Sequence, residues 1–232
     1  MTTTSTYAFN PSSADVVLNA YGMLQIRRTE LQTAHLEDAA FQFNMLMADI
    51  GNRQPNWWTL ETQTQTLRES TANYALAART ISVAIAYLST TSGGTTTDRV
   101  IAPLAAADYA AMPNKAQEAA PTSYWFSRTD PPSVTVWPTP DAATVALSGT
   151  LKMMTFRQCM DVDLSSGYTL DSPHRFLDAI TTGLAARLAE YYRPEKEQKL
   201  NQRFEERLAR AARQDQENVP MRISMNISSY YR

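Results

Sequence analysis

With 232 residues, seven glycines and one cysteine, the chain is long enough to bury a core without covalent staples, and it has neither a disulfide framework nor a glycine-rich phosphate loop. A net charge of −2 and a pI near 5.7 argue against wholesale binding of a polyanion. Mean hydropathy is negative, no apolar run approaches about 18 residues, and MTTTSTYAFNPSS lacks the basic start and apolar stretch of a secretory signal, so we expect no membrane partner and synthesis in a reducing cytoplasm.

Pro11-Ser12-Ser13-Ala14-Asp15 reads as a capped helix start, a serine with an acid three places on, and Val17, Ala20 and Leu24 then recur at helical spacing up to Arg27-Arg28. A second box, Thr29 to Gln32, predicts a helix carrying Leu36, Ala40, Phe43, Leu46 and Ile50, with Gly51 as its stop. Pro55 breaks the pattern. From Trp57, WWTLETQTQTL alternates threonines with larger polar side chains, the period of a strand. Residues 80–88 are rich in β-formers and lead to Ser92-Gly93-Gly94, a turn. A strand at 99–101 stops at Pro103, and a short helix follows over 105–112. Two strands, 122–128 and 133–137, flank Thr129-Asp130-Pro131-Pro132, and a third spans 144–156 with Val145, Leu147, Gly149 and Leu151 on one side.

Helix resumes at Ser172-Pro173, a cap followed by a proline suited to the first helical position. Leu177, Ile180, Leu184, Leu188 and Tyr191 form one stripe before Arg193-Pro194 interrupts it, and a last helix runs from Pro194 to about residue 217. The expected fold is α+β: mainly an α-helical bundle core of two N-terminal and two C-terminal helices (residues 1–56 and 172–217), an inserted small antiparallel β region (57–171), and an extended C-terminal tail (218–232).

Chemistry is thinly provided. Neither His35 nor His174 stands at a metal-ligand spacing, and Cys159 reads as a small buried hydrophobe. Asp161 and Asp163, near Asp171, could in principle do acid–base work or hold a cation, but alternating acids in a loop are the usual pattern of a solvated segment. We therefore nominate no catalytic, cofactor-binding or metal-binding residue, and expect no enzyme and no cofactor.

Three features suit contacts with other molecules. On the last helix Lys196, Lys199, Arg203, Arg207 and Arg210 recur at steps of three and four, a strip about 80° wide beside an apolar stripe of Leu200, Phe204, Leu208 and Ala211. The helix carries six basic and six acidic residues between Glu195 and Glu217, so the strip reads either as a solvated face or as a surface for an acidic partner. In the 122–137 hairpin, Tyr124, Phe126, Val134 and Val136 share a face, leaving Trp125 and Trp137 either to complete the hairpin core or to make a subunit contact. The tail places Met221, Ile223, Met225 and Ile227 in strict alternation before Tyr230 and Tyr231, which suits a strand laid on a partner or on its own subunit.

Asp108-Tyr109, Met112-Pro113-Asn114-Lys115, Pro121-Thr122-Ser123-Tyr124-Trp125-Phe126 and Val136-Trp137-Pro138-Thr139-Pro140-Asp141 follow one another closely. This series resembles the head-to-tail adaptor, or packaged-DNA stabilisation, proteins of short-tailed bacteriophages, with Met112 in place of the usual Leu and Trp137 at the large apolar position before the prolines. The motif likeness covers about residues 98 to 141, and element order extends it over most of the chain. It implies a structural virion protein at the head–tail junction, made in the bacterial host cytoplasm. Such a protein forms a ring matching the portal's twelvefold symmetry, contacts the portal protein, neighbouring copies of itself and a downstream tail protein, and lets DNA pass without sequence-specific contact. The tail would be the portal-reaching segment. Two other readings stand beside it: a DNA-binding or scaffolding accessory protein using the basic strip, and a muralytic hydrolase using Asp161, Asp163 or Glu190.

Overall fold

Ser12 caps the first helix, α1 (Ser13–Met23), by the reciprocal bonds of a capping box: the Asp15 amide donates to Ser12 Oγ and the Ser12 amide to the Asp15 carboxylate, both at 3.2 Å. The computed structural model describes residues 9–53, 56–165 and 167–215. The second box is not used as expected. Arg28–Glu30 form a 3₁₀ turn closed by the Arg27 amide on Glu30, and α2 starts later, at Thr33, and runs through Gly51 to Arg53. Its buried stripe is Ala39, Phe43, Leu46, Met47 and Ile50, so Leu36 lies outside the core at 41% exposure.

The strands are β1 (Leu60–Thr66), β2 (Asn73–Ala75), β3 (Thr80–Ser92) and β4 (Thr95–Pro103), then, after helix α3 (Ala106–Ala111), β5 (Ser123–Ser127) and β6 (Ser133–Trp137). Helix α4 (Ala142–Ala146) precedes β7 (Thr150–Arg157), and the chain closes with α5 (Leu177–Tyr192) and α6 (Pro194–Gln214). The strand expected over 144–156 thus begins as helix and becomes strand only at Thr150: Asp141 accepts the Thr144 amide at 2.9 Å and caps α4, which leaves Leu147 on the surface.

All seven strands join one sheet in the order β1-β7-β3-β4-β5-β6-β2, curled into a half-barrel. This overturns the expected helical bundle core with a small antiparallel insert. Strands account for 26% of the structure against 44% helix, so the sheet is a layer with its own core. That core gathers Leu67, Tyr74, Leu88, Ile101, Tyr124, Val134, Val136, Leu151 and Met153. Nor is the sheet wholly antiparallel, since β4 and β5 run parallel through Ala102↔Ser123 and Pro103↔Tyr124. Two register shifts bend it: Ile81 and Ala84 are the extra residues between Thr80/Ser82 and Val83/Ile85, and bulges strengthen twist. At its far side, Gln63 donates to Thr80 Oγ1 (2.7 Å) and Thr155 Oγ1 (3.1 Å), and Gln65 donates to the Ala75 carbonyl (2.9 Å). The glutamines of LETQTQT therefore satisfy the inside of the curl while Thr62, Thr64 and Thr66 face water.

The helices pack around α5, which is buried on nearly every side from Leu177 to Ala189. Contact is closest at Gly183, where a Cβ would meet the Phe204 ring at 2.8 Å and Leu46 at 3.0 Å. Among the described residues, no helix is long and apolar enough to cross a membrane.

Candidate interaction surfaces

Helix α6 meets the rest of the chain along the stripe predicted for it: Leu200, Phe204, Leu208 and Ala211 are its buried residues. The basic strip beside that stripe is divided. Arg207 turns inward, donating to Asp178 at 2.6 Å and to the Thr182 hydroxyl, both on α5. Lys196, Lys199, Arg203 and Arg210 form no salt bridge among the described residues, and the last three are exposed. Arg210 and Arg207 share with Arg175, which comes from the turn before α5, the walls of a cavity of about 170 Å³. Arg175 is missing from the strip read off the sequence, because only the fold brings residue 175 beside residues 207 and 210.

The acids of α6 are also in use. Glu205 takes a two-pronged bond from Arg53 of α2 at 2.8 Å, and Arg53 continues to Asp49, which Arg187 of α5 also contacts at 3.3 Å. This chain of charges links α2, α5 and α6 across their solvent side.

In the hairpin, Tyr124, Val134 and Val136 are buried and Phe126 packs against their core, on the face expected from alternation. Each tryptophan has a partner within the subunit. Trp125 stacks on Tyr109 at 5.3 Å, and Trp137 Nε1 donates to the Asn114 carbonyl at 3.1 Å. Lys115 caps the end of α3 through the carbonyls of Ala110 (3.0 Å) and Met112 (3.2 Å), and residues 117 to 119 bond to Thr139. The series in 108–141 therefore acts as a set of clasps that fix the α3 segment across the hairpin.

The acids weighed for catalysis do not converge. Asp161 and Asp163 are exposed, and Asp163 is spent on the amide (2.8 Å) and hydroxyl (2.7 Å) of Ser165, which hold its carboxyl below the usual range. Asp171 belongs to a structural pair: Arg157 grips it at 2.5 and 2.9 Å and the Met160 amide donates at 2.9 Å, so its pKa is lowered, chiefly by the guanidinium. An acid with a depressed folded pKa stabilises the fold above its unfolded pKa, near 3.9, and loses that contribution as pH falls through the folded value. Asp171→Asn should therefore lower the melting temperature at pH 7, and the difference from the parent should shrink progressively below about pH 4; parallel melts from pH 7 to pH 2 measure it. A constant difference across that range would contradict the pairing.

His35 stacks on Tyr192 at 4.8 Å and accepts the Gln32 amide, and Cys159 packs against the helical core, where burial pushes its thiol pKa up. Among the described residues, no three of His, Cys, Asp or Glu are grouped to hold a metal ion. The tail residues Met221, Ile223, Met225, Ile227, Tyr230 and Tyr231 lie outside the described residues.

A family model described as SU10 adaptor protein matches residues 19–224. No curated protein matches the chain.

Proposed function

Because the chain belongs to the SU10 adaptor protein family, the phage head-to-tail adaptors, and is by that membership a structural component of the virion, we propose that it docks as a ring beneath the portal, helps retain packaged DNA and carries the next tail protein. The observation that supports a docking role most directly is the outer face of α6: Lys199, Arg203 and Arg210 are exposed without an ion pair among the described residues, with Arg210 at a cavity also lined by Arg175, Arg207 and Asp178. A lone helix gains nothing from like charges at four-residue spacing. An acidic surface on the portal or on a neighbouring copy offsets that cost. DNA phosphate is the poorer complement, since Glu195 and Glu206 flank the strip at helical spacing and an exit channel must let DNA slide. The tail, with its four alternating apolar residues, is the second anchor, laid on the portal.

Portal rings held on beads provide the test. The full chain should be retained, and the chain lacking residues 218–232 should lose about tenfold or more in affinity, as removal of a buried apolar anchor does. Lys199→Glu with Arg203→Glu should weaken binding and leave the melt unchanged, because neither residue pairs within the subunit among the described residues. A full chain that washes off the beads would contradict the docking role. Steeply salt-dependent retention on DNA, lost in the same double variant, would favour the accessory DNA-binding reading instead.

A further inference from the structure

Apart from the three-residue β2 at one end, two edges of the sheet lack a backbone partner among the described residues. β4 is laddered to β3 from Ser92↔Thr95 to Ala86↔Ile101, and the two-residue turn at Gly93-Gly94, both at positive φ, makes Ser92 and Thr95 a bonded pair. Odd-numbered residues of β4 thus bond to β3 and even-numbered ones point away. The same parity shows farther along the strand, where the Ala102 and Leu104 amides donate to the carbonyls of Thr122 (3.0 Å) and Tyr124 (2.7 Å). The pairing with β5 begins only at Ala102. Thr96, Asp98 and Val100 consequently hold their N–H and C=O groups toward open space, in a stretch where residues 95–100 are all exposed and Val100 reaches 72%.

At the end of the sheet, β1 repeats the arrangement. Leu67 donates to the Gly149 carbonyl at 3.0 Å, one step beyond Thr66↔Thr150, so odd-numbered residues of β1 serve β7 and Thr62, Thr64 and Thr66 face outward. Exposed edges normally carry a guard, such as a proline, an edge lysine or a bulge. Residues 60–66 and 95–100 contain no proline or lysine, their charges being Glu61, Asp98 and Arg99, and neither the β1–β7 nor the β3–β4 ladder shifts register.

We infer that neighbouring copies of the chain join by continuing the sheet, the β4 edge of one copy pairing with the β1 edge of the next. The edges are matched, each offering three outward residues at the same spacing and each rich in threonine, whose cross-strand pairs are favourable. They are different surfaces of one chain, so the contact is heterologous and repeats from copy to copy, which is what ring closure requires. The tail of the same chain could cover one edge and would leave the other open. The inference rests on the ring reading above and names its subunit contact.

Thr64→Cys and Thr96→Cys, combined in a Cys159→Ala chain, test it with a short bismaleimide, once on the concentrated protein alone and once on portal-bound protein. The expected result is a ladder of covalent multiples in at least one condition, absent from both single-cysteine controls. Asp98→Pro, added to the double-cysteine chain, removes an outward N–H that β3 does not use and should abolish the ladder without changing the melt. No ladder in either condition overturns the inference, as does a folded Asp98→Pro chain that ladders like its parent. Portal binding is scored in the same samples by mass, so a bound ring without a ladder removes the edge contact and leaves the adaptor reading, while a ladder without portal binding does the reverse.

Discussion

Replacing Asp215 by alanine should destabilise the fold by about 3 kcal/mol. The Asp215 side chain is 1% exposed at the C-terminal cap of α6, where the helix dipole disfavours an anion. Two partners outside α6 offset that cost. The Trp57 amide donates to Oδ2 at 2.9 Å and the Arg175 guanidinium pairs with Oδ1. One carboxylate thereby ties the end of α6 to the approach to β1 and to the turn that opens α5. Alanine leaves a buried amide unsatisfied and a guanidinium unpaired. Arg175 is 35% exposed and recovers some hydration, which sets the figure at the low end for a broken buried pair. A chain of this length should melt about 6–12 °C lower. Asp215→Asn keeps an acceptor for Trp57 and should fall between alanine and the parent. Equal melts for all three proteins would show that the clasp does not hold the fold.

Phe176→Ala should cost about 3–5 kcal/mol, the usual loss for a large ring deleted from a packed core. Phe176 is fully buried, with the Trp58 ring at 4.4 Å and the Arg175 guanidinium over its face at 5.6 Å. Trp58 also donates through Nε1 to the Asp171 carbonyl at 3.2 Å, and Asp171 is the partner of Arg157 at the end of β7. The ring thus fills the joint at which the helical layer meets the sheet. Phe176→Leu retains much of the buried area and should lose no more than about 1.5 kcal/mol, measured by urea titration. A leucine variant as unstable as the alanine one would mean that the ring geometry, and not the filled volume, carries the joint.

Helices α1, α2 and α6 were legible because each buries one stripe at a period of three to four residues. Leu200, Phe204, Leu208 and Ala211 are read from the sequence and found in the core without correction. The register of α2 was misread because Leu36 and Ala40 also fit a helical period, and only packing selects Ala39 and Met47 instead. Alternation in LETQTQT marked a strand, but β1 pairs with β7, roughly ninety positions on in the register Leu60↔Phe156, and periodicity carries no record of partners. The three-residue β2 gives too short a pattern to see, although Tyr74, whose hydroxyl accepts the Arg68 amide at 3.0 Å, anchors its turn. Asp141 caps α4, a role that the reading of 144–156 as one strand left out. Fold class failed for a related reason: alternation tells which face of a strand is buried and not how many strands share a core. On the candidate surfaces, the strip on α6 could be read from spacing, whereas the Arg175–Asp215 pair joins positions forty apart and the open edge of β4 depends on where β5 begins.

Native mass spectrometry of the purified portal ring mixed with the full chain tests the adaptor role most directly. The expected spectrum shows the portal mass increased by one complete ring of 25.9 kDa chains, in number matching the portal's own symmetry. A portal whose mass is unchanged by saturating adaptor would contradict the account.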